Sequence, residues 1–506
     1  MAEPDQTPVD LLIVGGGVNG CGVARDAAGR GLSVTVCEMG DLASATSSAS
    51  TKLIHGGLRY LEYYEFRLVR ESLAEREVLL KAAPHTIYPL RFVLPHHKGL
   101  RPAWLLRLGL FLYDHIGGRR TLPPTRTLDL RRQPEGAPLL PRYERGFAYS
   151  DAWTDDARMV ALAALDAAER GARILTRTRL LSARREGTLW RATLEHADGR
   201  REDVLARALV NATGPWVERV GRLLGANQPA RTIKLVKGSH IVLPRLYEGD
   251  HAYTLQGGDG RIVFTIPYQG RFTLVGTTDI PVGGEPGKVE ASPAEIAYLC
   301  KTLGDYFQRT PEPSEVVWTY AGVRPLHDDG QENASAVTRD YLLDLDAPDG
   351  AAPVLSVYGG KITTFRKLAE HALALLQPKL GFSAGAWTRE AVLPGGDLPQ
   401  GFEAFRTEVA KNHPWIAEPT LTRLCRAYGS RLERVLGDAA SWTDMGRDFG
   451  AGLTAREVDY LRKAEWAKTA EDVLWRRSKV GLHMSPTQRK AFADAFDAER
   501  QSENTP

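Results

Sequence analysis

Residues 45–61 concentrate side chains that can bind a ligand or react: Thr46, Ser47, Ser48, Ser50, Thr51, Lys52, His55, Gly56, Gly57, Arg59 and Tyr60. Hydroxyls and backbone N–H groups can satisfy the oxygens of a pyrophosphate, and a glycine pair permits close approach to a flat ring. Histidine can exchange a proton near neutral pH, and arginine can clamp an anion. Packing alone does not explain this run, so we interpret it as part of a binding site.

The elements that must position this run precede it directly. Val9–Val14 is typical of a buried parallel strand, and Gly15, Gly17 and Gly20 follow it at the spacing of a dinucleotide-binding turn. A helix predicted from about Val18 to Arg30 would point its N-terminal N–H groups at the phosphates. Glu38 ends the next strand, where a carboxylate accepts hydrogen bonds from a ribose hydroxyl. This pattern predicts a dinucleotide site and disfavours NADP, leaving FAD and NAD open; a glycine-rich turn without nucleotide is the alternative.

Bulk composition indicates an ordinary globular enzyme of two or three domains. The chain has 506 residues, 43% hydrophobic and 25% charged, with a net charge of only +3. That small, dispersed charge argues against nucleic acid as a partner. Four cysteines without paired spacing predict reduced core thiols and no metal site. The polar amino terminus does not resemble a signal peptide, and no apolar run is long enough for a membrane span.

Strand-like runs recur further along the chain, and the pattern becomes helical near its end. Segments 173–176, 190–194 and 208–211 precede Ala212–Trp216, and 262–266 with 272–276 form a predicted antiparallel pair across Gln269-Gly270. A second strand, glycine turn and helix spans 354–376. We predict a discontinuous cofactor domain (1–85, 145–230 and 315–390), a substrate domain (86–144 and 231–314) and a helical cap (391–506).

The order of these motifs resembles the FAD-dependent glycerol-3-phosphate dehydrogenases of the D-amino-acid-oxidase-like superfamily. The resemblance is carried by Gly15–Glu38, Ser47–Tyr60, Asn211–Trp216, Val275–Asp279, Tyr320–Leu326 and Tyr358–Lys361, and it covers nearly the whole chain. It implies an α/β fold, with a Rossmann-like FAD-binding domain, an antiparallel-sheet substrate domain and a C-terminal helical cap. It also selects FAD over NAD as the cofactor.

The resemblance implies oxidation of sn-glycerol 3-phosphate to dihydroxyacetone phosphate and assigns residues to that task. The expected catalytic residues are His240, as the base, and Arg324, which would polarise the C2 oxygen. The expected substrate-binding residues are Arg59, Tyr60, Thr277, Arg339 and Lys361. The expected cofactor-binding residues are Gly15, Gly17, Asn19, Gly20, Glu38, Thr46, Ser47, Ser48, His55, Gly56, Ala212, Gly214, Gly360 and Lys361.

Several of these residues also have structural interpretations. His240 follows Gly-Ser at the start of an apolar run, where a satisfied core histidine is an equal alternative to a base. His55 could pack against the flavin without reacting. Lys52 and Lys237 could belong to structural ion pairs, so we leave both out of the catalytic set.

The family's electron acceptor is ubiquinone, which implies contact with a membrane surface. The stretch Arg91–Arg120 places basic residues around a short apolar segment, Trp104–Tyr113, which suits a helix lying in the interface. A buried helix of the substrate domain is the alternative. We expect a peripheral protein on the cytoplasmic face of the inner membrane, with a homodimer left open. The rival functions are an oxygen-using glycerol-3-phosphate oxidase and a catalytically silent FAD-binding protein.

Overall fold

The computed structural model describes residues 7–118, 121–225, 232–327 and 340–503. Its strands are, in chain order, β1 Val9–Val14, β2 Val34–Glu38, β3 Leu53–Ile54, β4 Ile87–His96, β5 Arg126–Asp129, β6 Arg145–Thr154, β7 Arg173–Thr176, β8 Thr178–Glu186, β9 Leu189–His196, β10 Arg201–Asn211, β11 Ile233–Pro244, β12 Ala252–Gln256, β13 Ile262–Tyr268, β14 Phe272–Gly276, β15 Ile280–Pro281, β16 Trp318–His327, β17 Tyr341–Asp346 and β18 Val354–Gly359.

Helices accompany these strands along the chain. They are α1 Val18–Gly29, α2 Phe66–Ala82, α3 Ala103–Ile116, α4 Asp156–Glu169, α5 Val217–Leu223, α6 Pro293–Gly304, α7 Phe365–Leu380, α8 Phe402–Asn412, α9 Thr420–Tyr428, α10 Leu432–Leu436, α11 Ala455–Ala464 and α12 Pro486–Glu503. Short 3-10 turns at Leu58–Tyr63 and Ile362–Thr364 lead into α2 and α7, and Asp472–Arg477 forms a π-helix.

The first sheet has the order β17-β18-β10-β1-β2-β7, and the β8–β9 hairpin extends it from β10. The strands from β18 to β7 are parallel, as expected for a Rossmann-like domain. Leu11–Ile13 of β1 are fully buried because α1, α4 and α7 cover one face, while Trp190 and Leu194 of the hairpin contribute to the core on the other face. This parallel, helix-covered sheet is the Rossmann-like part of the expected fold.

The second sheet is mixed and mostly antiparallel, with the order β15-β11-β14-β13-β12-β4-β6-β3; β16 joins β11 and β5 joins β6. The predicted hairpin across Gln269-Gly270 is confirmed, since β13 and β14 pair antiparallel on either side of it. Helix α6 packs on one face of β11, around Ile241 and Leu299. The other face, which carries His240, turns toward the residue 46–51 segment of the cofactor domain.

The domain division differs from the predicted one at two boundaries. We expected 145–230 and 315–390 to belong to the cofactor domain from their first residues. Instead β6 pairs with β4 and β16 pairs with β11 along nearly their full lengths, so 145–154 and 318–327 lie in the substrate sheet. The backbone hydrogen-bonding partners of both strands lie in that sheet, and the local sequence does not reveal which strands those partners are.

The cap is helical from α8 onward and has a core of its own, built around Leu424, Tyr428 and Leu461. The four cysteines are free and buried. No helix within the described residues is both long enough and apolar enough to cross a bilayer. The segment predicted to contact membrane, Arg91–Arg120, is only partly helical: Arg91 and His96 lie in β4, and α3 begins at Ala103. Arg119 and Arg120 lie outside the described residues.

Candidate active site

The glycine turn after β1 is crowded on both sides by backbone. Gly15 has φ +114°, and a Cβ there would lie 2.5 Å from the Ala212 carbonyl oxygen. A Cβ on Gly20 would lie 1.9 Å from the Gly15 carbonyl oxygen. Only glycine permits this approach of α1 to the end of β1, which leaves the N-terminus of the helix at the edge of the sheet.

Glu38 ends β2 beside this turn. Its Oε2 accepts a hydrogen bond from the Gly16 N–H at 2.7 Å, and its Oε1 accepts one from the Gly40 N–H at 2.7 Å. Burial raises the pKa of the Glu38 carboxyl, and the two N–H donors oppose that shift. The carboxylate is thus fixed at the position where the sequence predicts a ribose contact.

The two glycine turns of the chain meet at Asn19, in the first turn of α1. Asn19 Nδ2 donates to the Gly359 carbonyl at 3.2 Å, and a Cβ on Gly360 would lie 3.1 Å from that nitrogen. Within the described part of the chain, Asn19 Oδ1 is buried and has no hydrogen-bond partner. An acceptor in this position suits a hydroxyl of a bound dinucleotide, so the cradle fits the predicted cofactor.

The hydroxyl run connects the cofactor domain to the substrate sheet. Ser47 Oγ accepts from the Val18 N–H at 3.0 Å and so caps α1. Thr46 Oγ1 donates to the Val323 carbonyl of β16 at 2.6 Å, and Ser48 Oγ lies 3.4 Å from the Ala45 carbonyl. The segment therefore lies between the two sheets, where the sequence predicts the cofactor.

Gly56 is buried against neighbouring helices, although the sequence predicts a cofactor-binding role for it. The Gly56 N–H donates to the Tyr113 hydroxyl at 2.8 Å, and a Cβ at position 56 would overlap Leu73 and Tyr113. Gly56 therefore permits packing of α2 and α3 against the segment. The His55 backbone bonds Thr363 at 3.3 Å, and its half-buried ring lies edge-on to Phe264.

His240 lies on the face of β11 that turns toward residues 46–51. Its Nε2 lies 3.0 Å from Thr51 Oγ1, and its ring stacks on Tyr320 with centroids 4.7 Å apart. The side chain is only 1% exposed, and its Nδ1 is buried without a partner among the described residues. Burial, helped by the positive charges of Arg324 and Lys52, holds the pKa of His240 well below its usual value. The imidazole is therefore neutral at pH 7.

Arg324 of β16 pairs with Val236, four residues before His240 on β11, and its guanidinium lies over Gly238. A Cβ on Gly238 would lie 2.1 Å from Arg324 Nη2, which donates to Thr277 Oγ1 at 2.6 Å. Arg324 Nη1 also binds Asp279. The structure thus brings the predicted residues Arg324 and Thr277 together beside His240.

Tyr60 and Lys361 form a second group. Lys361 Nζ lies 4.0 Å from the centroid of the Tyr60 ring, and Arg59 lies near Tyr63. Lys361 immediately precedes the short helical turn that leads into α7. A Cβ on Gly359 would lie 3.5 Å from the carbonyl oxygen of Pro325, the residue after Arg324. Ala212, directly after β10, lies against the first glycine turn, and Gly214 begins the short 3-10 turn that follows. Arg339 lies outside the described residues.

Sequence reasoning overlooked three participants in this site. Thr51 contacts His240, Tyr320 stacks on it, and Asp279 neutralises Arg324. Thr51 and Asp279 both stand inside motifs that we singled out, but a pattern of hydroxyls and acids does not indicate which side chain reaches which partner. The two lysines set aside, Lys52 and Lys237, do form ion pairs, with Asp156 and Glu295, each at 2.7 Å.

Two glycine turns form a nucleotide-binding site, and the antiparallel sheet that faces it carries His240 and Arg324. This arrangement defines an oxidoreductase with a dinucleotide cofactor. Residues 10–364 match the family described as FAD dependent oxidoreductase, and residues 386–498 match the C-terminal domain of alpha-glycerophosphate oxidase. The chain belongs to this FAD-dependent oxidoreductase family, and FAD is its cofactor. Among the residues that the structure describes, no group of acidic, histidine and cysteine side chains is placed to hold a metal ion.

Relatives share nearly the full length of the chain. A Pseudomonas aeruginosa protein named glycerol-3-phosphate dehydrogenase is 53% identical, covering 97% of this chain and 95% of that protein. A Brucella abortus protein named D-erythritol 1-phosphate dehydrogenase is 52% identical, covering 98% of this chain and 99% of that protein. The solved glycerol-3-phosphate dehydrogenase of Bacillus halodurans, complexed with FAD, has a TM-score of 0.74 at 24% identity, covering 97% of this chain and 94% of that chain.

Proposed function

We propose that this enzyme oxidises sn-glycerol 3-phosphate to dihydroxyacetone phosphate and passes the electrons to ubiquinone. The observation that carries the proposal is the cluster of His240, Thr277 and Arg324 on one face of β11 and its neighbours, next to the FAD cradle. The full-length similarity to enzymes named glycerol-3-phosphate dehydrogenase supports the choice of substrate.

The side chains of the site have separate roles in this reaction. Arg59 and Arg339 bind the phosphate dianion, because a guanidinium matches phosphate oxygens better than any other side chain. Arg324, with Thr277 beside it, stabilises the negative charge that develops on the C2 oxygen. His240 takes the hydroxyl proton, and Tyr60 with Lys361 borders the site. Bound FAD supplies the acceptor for the hydride that leaves C2.

D-Erythritol 1-phosphate is a second candidate substrate. The Brucella abortus relative of that name is as similar to this chain as the glycerol-3-phosphate dehydrogenases are. Both molecules are primary phosphate esters of a polyol, so the same arginines would bind either one. The longer substrate needs room for one more carbinol carbon.

The proposed acceptor requires contact with lipid, and α3 supplies a suitable face. Its inner side packs through Leu110 and Tyr113, while Trp104, Leu108, Phe111 and Leu112 are exposed at helical spacing. Tyr63, Tyr64 and Phe66, in the turn and helix that α3 packs against, are also exposed. Arg101, exposed beside Glu62, adds positive charge at the edge. We propose that this apolar face lies in the cytoplasmic leaflet of the inner membrane.

Anaerobic flavin spectroscopy tests the proposal. Purified FAD-loaded protein should lose its yellow absorbance on addition of sn-glycerol 3-phosphate, and glycerol without phosphate should leave it unchanged. Faster bleaching by D-erythritol 1-phosphate would assign that substrate instead. Recolouring by a ubiquinone analogue faster than by dissolved oxygen supports a dehydrogenase, and the reverse order would make the protein an oxidase. Bleaching by neither phosphate ester would contradict the proposal.

A further inference from the structure

A buried ion pair underlies the active-site segment. Lys52 Nζ lies 2.7 Å from Asp156 Oδ1, and both side chains are fully shielded from solvent. The lysine also donates to the Ser48 carbonyl at 3.2 Å, and its ammonium lies 5.0 Å from the centre of the Tyr320 ring. Lys52 has φ +60°, an uncommon conformation for a residue with a side chain. These contacts hold the backbone of the segment in one shape.

The second oxygen of Asp156 fixes the residue before Thr51. Asp156 Oδ2 accepts from the Ser50 N–H at 3.1 Å and from the Ser50 hydroxyl at 2.8 Å. Ser50 Oγ accepts in turn from the Lys52 N–H at 2.9 Å. From the other side, the Tyr320 hydroxyl donates to the Ser50 carbonyl at 2.8 Å. The backbone on both sides of Thr51 is therefore anchored.

The anchored segment presents Thr51 to His240. Thr51 Oγ1 lies 3.0 Å from His240 Nε2, and the imidazole is held flat against Tyr320, the same ring that anchors Ser50. His240 is buried and Thr51 is half-exposed. Because His240 is more deeply buried than Thr51, we expect a substrate hydroxyl to meet the threonine oxygen before the imidazole.

We infer that Thr51 relays the substrate proton to His240. The inference rests on the proposed function. As the substrate O–H bond breaks, Thr51 Oγ1 receives that proton and releases its own to His240 Nε2. Hydroxyl and imidazole together gain one proton, and the two electrons of the C2–H bond leave with the hydride. Asp156, Lys52 and Ser50 act as positioning residues for this step. Two positive charges act on His240, Arg324 on β16 and Lys52, and both lower its pKa, so the imidazole is neutral before the proton arrives.

A pair of matched substitutions separates a relay from a packing role. Thr51→Val keeps the shape of the side chain and removes the hydroxyl, whereas Thr51→Ser keeps the hydroxyl and removes a methyl group. We expect Thr51→Val to slow anaerobic flavin reduction on the order of a hundredfold, with bound FAD and the thermal midpoint near wild type. Thr51→Ser should recover most of the rate. The acid limb of the pH–rate profile should flatten in Thr51→Val alone.

Ser50→Ala tests the positioning residues, because it removes the Asp156–Ser50 hydroxyl bond and leaves Thr51 intact. We expect a smaller loss of reduction rate, with little change in the substrate concentration needed for half-saturation. A wild-type rate in Thr51→Val, equal losses in the Val and Ser variants, or loss of FAD from Thr51→Val would each overturn the relay. If wild-type protein is not bleached by either phosphate ester, the proposed function fails; if it is bleached and Thr51→Val matches it, only the relay fails.

Discussion

Arg477 of the cap binds Asp41 of the cofactor domain through two nitrogens, Nη1 to Oδ2 at 2.9 Å and Nη2 to Oδ1 at 2.8 Å. Both side chains are almost completely buried. Asp41 lies three residues after Glu38, and the next turn closes on the nucleotide site because the Ala43 N–H donates to the Gly16 carbonyl at 3.1 Å. The cap is therefore fastened to the loop that supports the FAD cradle.

Arg477→Ala should destabilise the protein by about 3 kcal/mol, because removing one partner of a buried ion pair is costly. The lower end of the usual range applies, since Arg476 still contacts Asp41 at 2.7 Å. We also expect faster loss of FAD, because Asp41 supports the cofactor loop. Thermal unfolding and flavin fluorescence measure both effects. Arg132→Ala, at an exposed position, is the control, and equal midpoints for the two variants would show that this contact does not fasten the cap.

Arg324→Ala should lower the maximal rate of flavin reduction while leaving the fold intact. The guanidinium provides charge-assisted contacts worth roughly 1.5–3 kcal/mol, which corresponds to a rate loss of about 10- to 150-fold. Stopped-flow absorbance with saturating substrate measures that rate, and the remote Arg389→Ala serves as the control. Wild-type kinetics in Arg324→Ala would remove this residue from the site.

His85 should make the protein less stable as the pH falls. Its ring is fully buried, and desolvation together with Arg158 and Arg426 lowers its pKa to about 3. In the unfolded chain an ordinary histidine titrates near pH 6.5. Between these values the unfolded state binds one more proton, so folding loses about 1.4 kcal/mol per pH unit as the pH drops below 6.5.

His85→Leu removes the imidazole that binds this proton in the unfolded chain and leaves all other titrating groups in place. Thermal midpoints measured from pH 7 to pH 5 should therefore fall less steeply in His85→Leu than in the wild type. Parallel curves for the two proteins would contradict the assigned cause.

Local sequence patterns predicted the elements that are built from neighbouring residues. Strand β1, its glycine turn and α1 follow from one apolar run and three glycines, and the β13–β14 hairpin follows from alternation across Gln269-Gly270. The placement of β6 and β16 could not be predicted, because a strand's partner is decided by residues far away in the chain. Their pairing with β4 and β11 is visible only in the fold.

The candidate site, too, could be predicted from the sequence only in part. The types of the site residues follow from their motifs, and the resemblance supplied their roles. The burial of His240 behind Thr51 and the ion pair of Lys52 with Asp156 depend on contacts between residues more than a hundred positions apart. No periodicity or spacing encodes such contacts, so the order in which a proton would travel could not be predicted from the sequence.

The exposed apolar face of α3 should bind lipid. Replacing Trp104, Leu108 and Phe111 together with serine should release the protein from anionic lipid vesicles, with binding at least tenfold weaker in a sedimentation assay. Burial of such a side chain contributes about 1.5–3 kcal/mol, so even partial insertion of three of them exceeds that threshold. The substituted side chains point away from the core, so sn-glycerol 3-phosphate should still bleach the flavin in solution. The matched control replaces three exposed apolar residues elsewhere, Leu223, Val317 and Val392, and should bind vesicles as the wild type does. If the α3 variant stays bound while the control also does, the membrane contact lies on the cap or another surface.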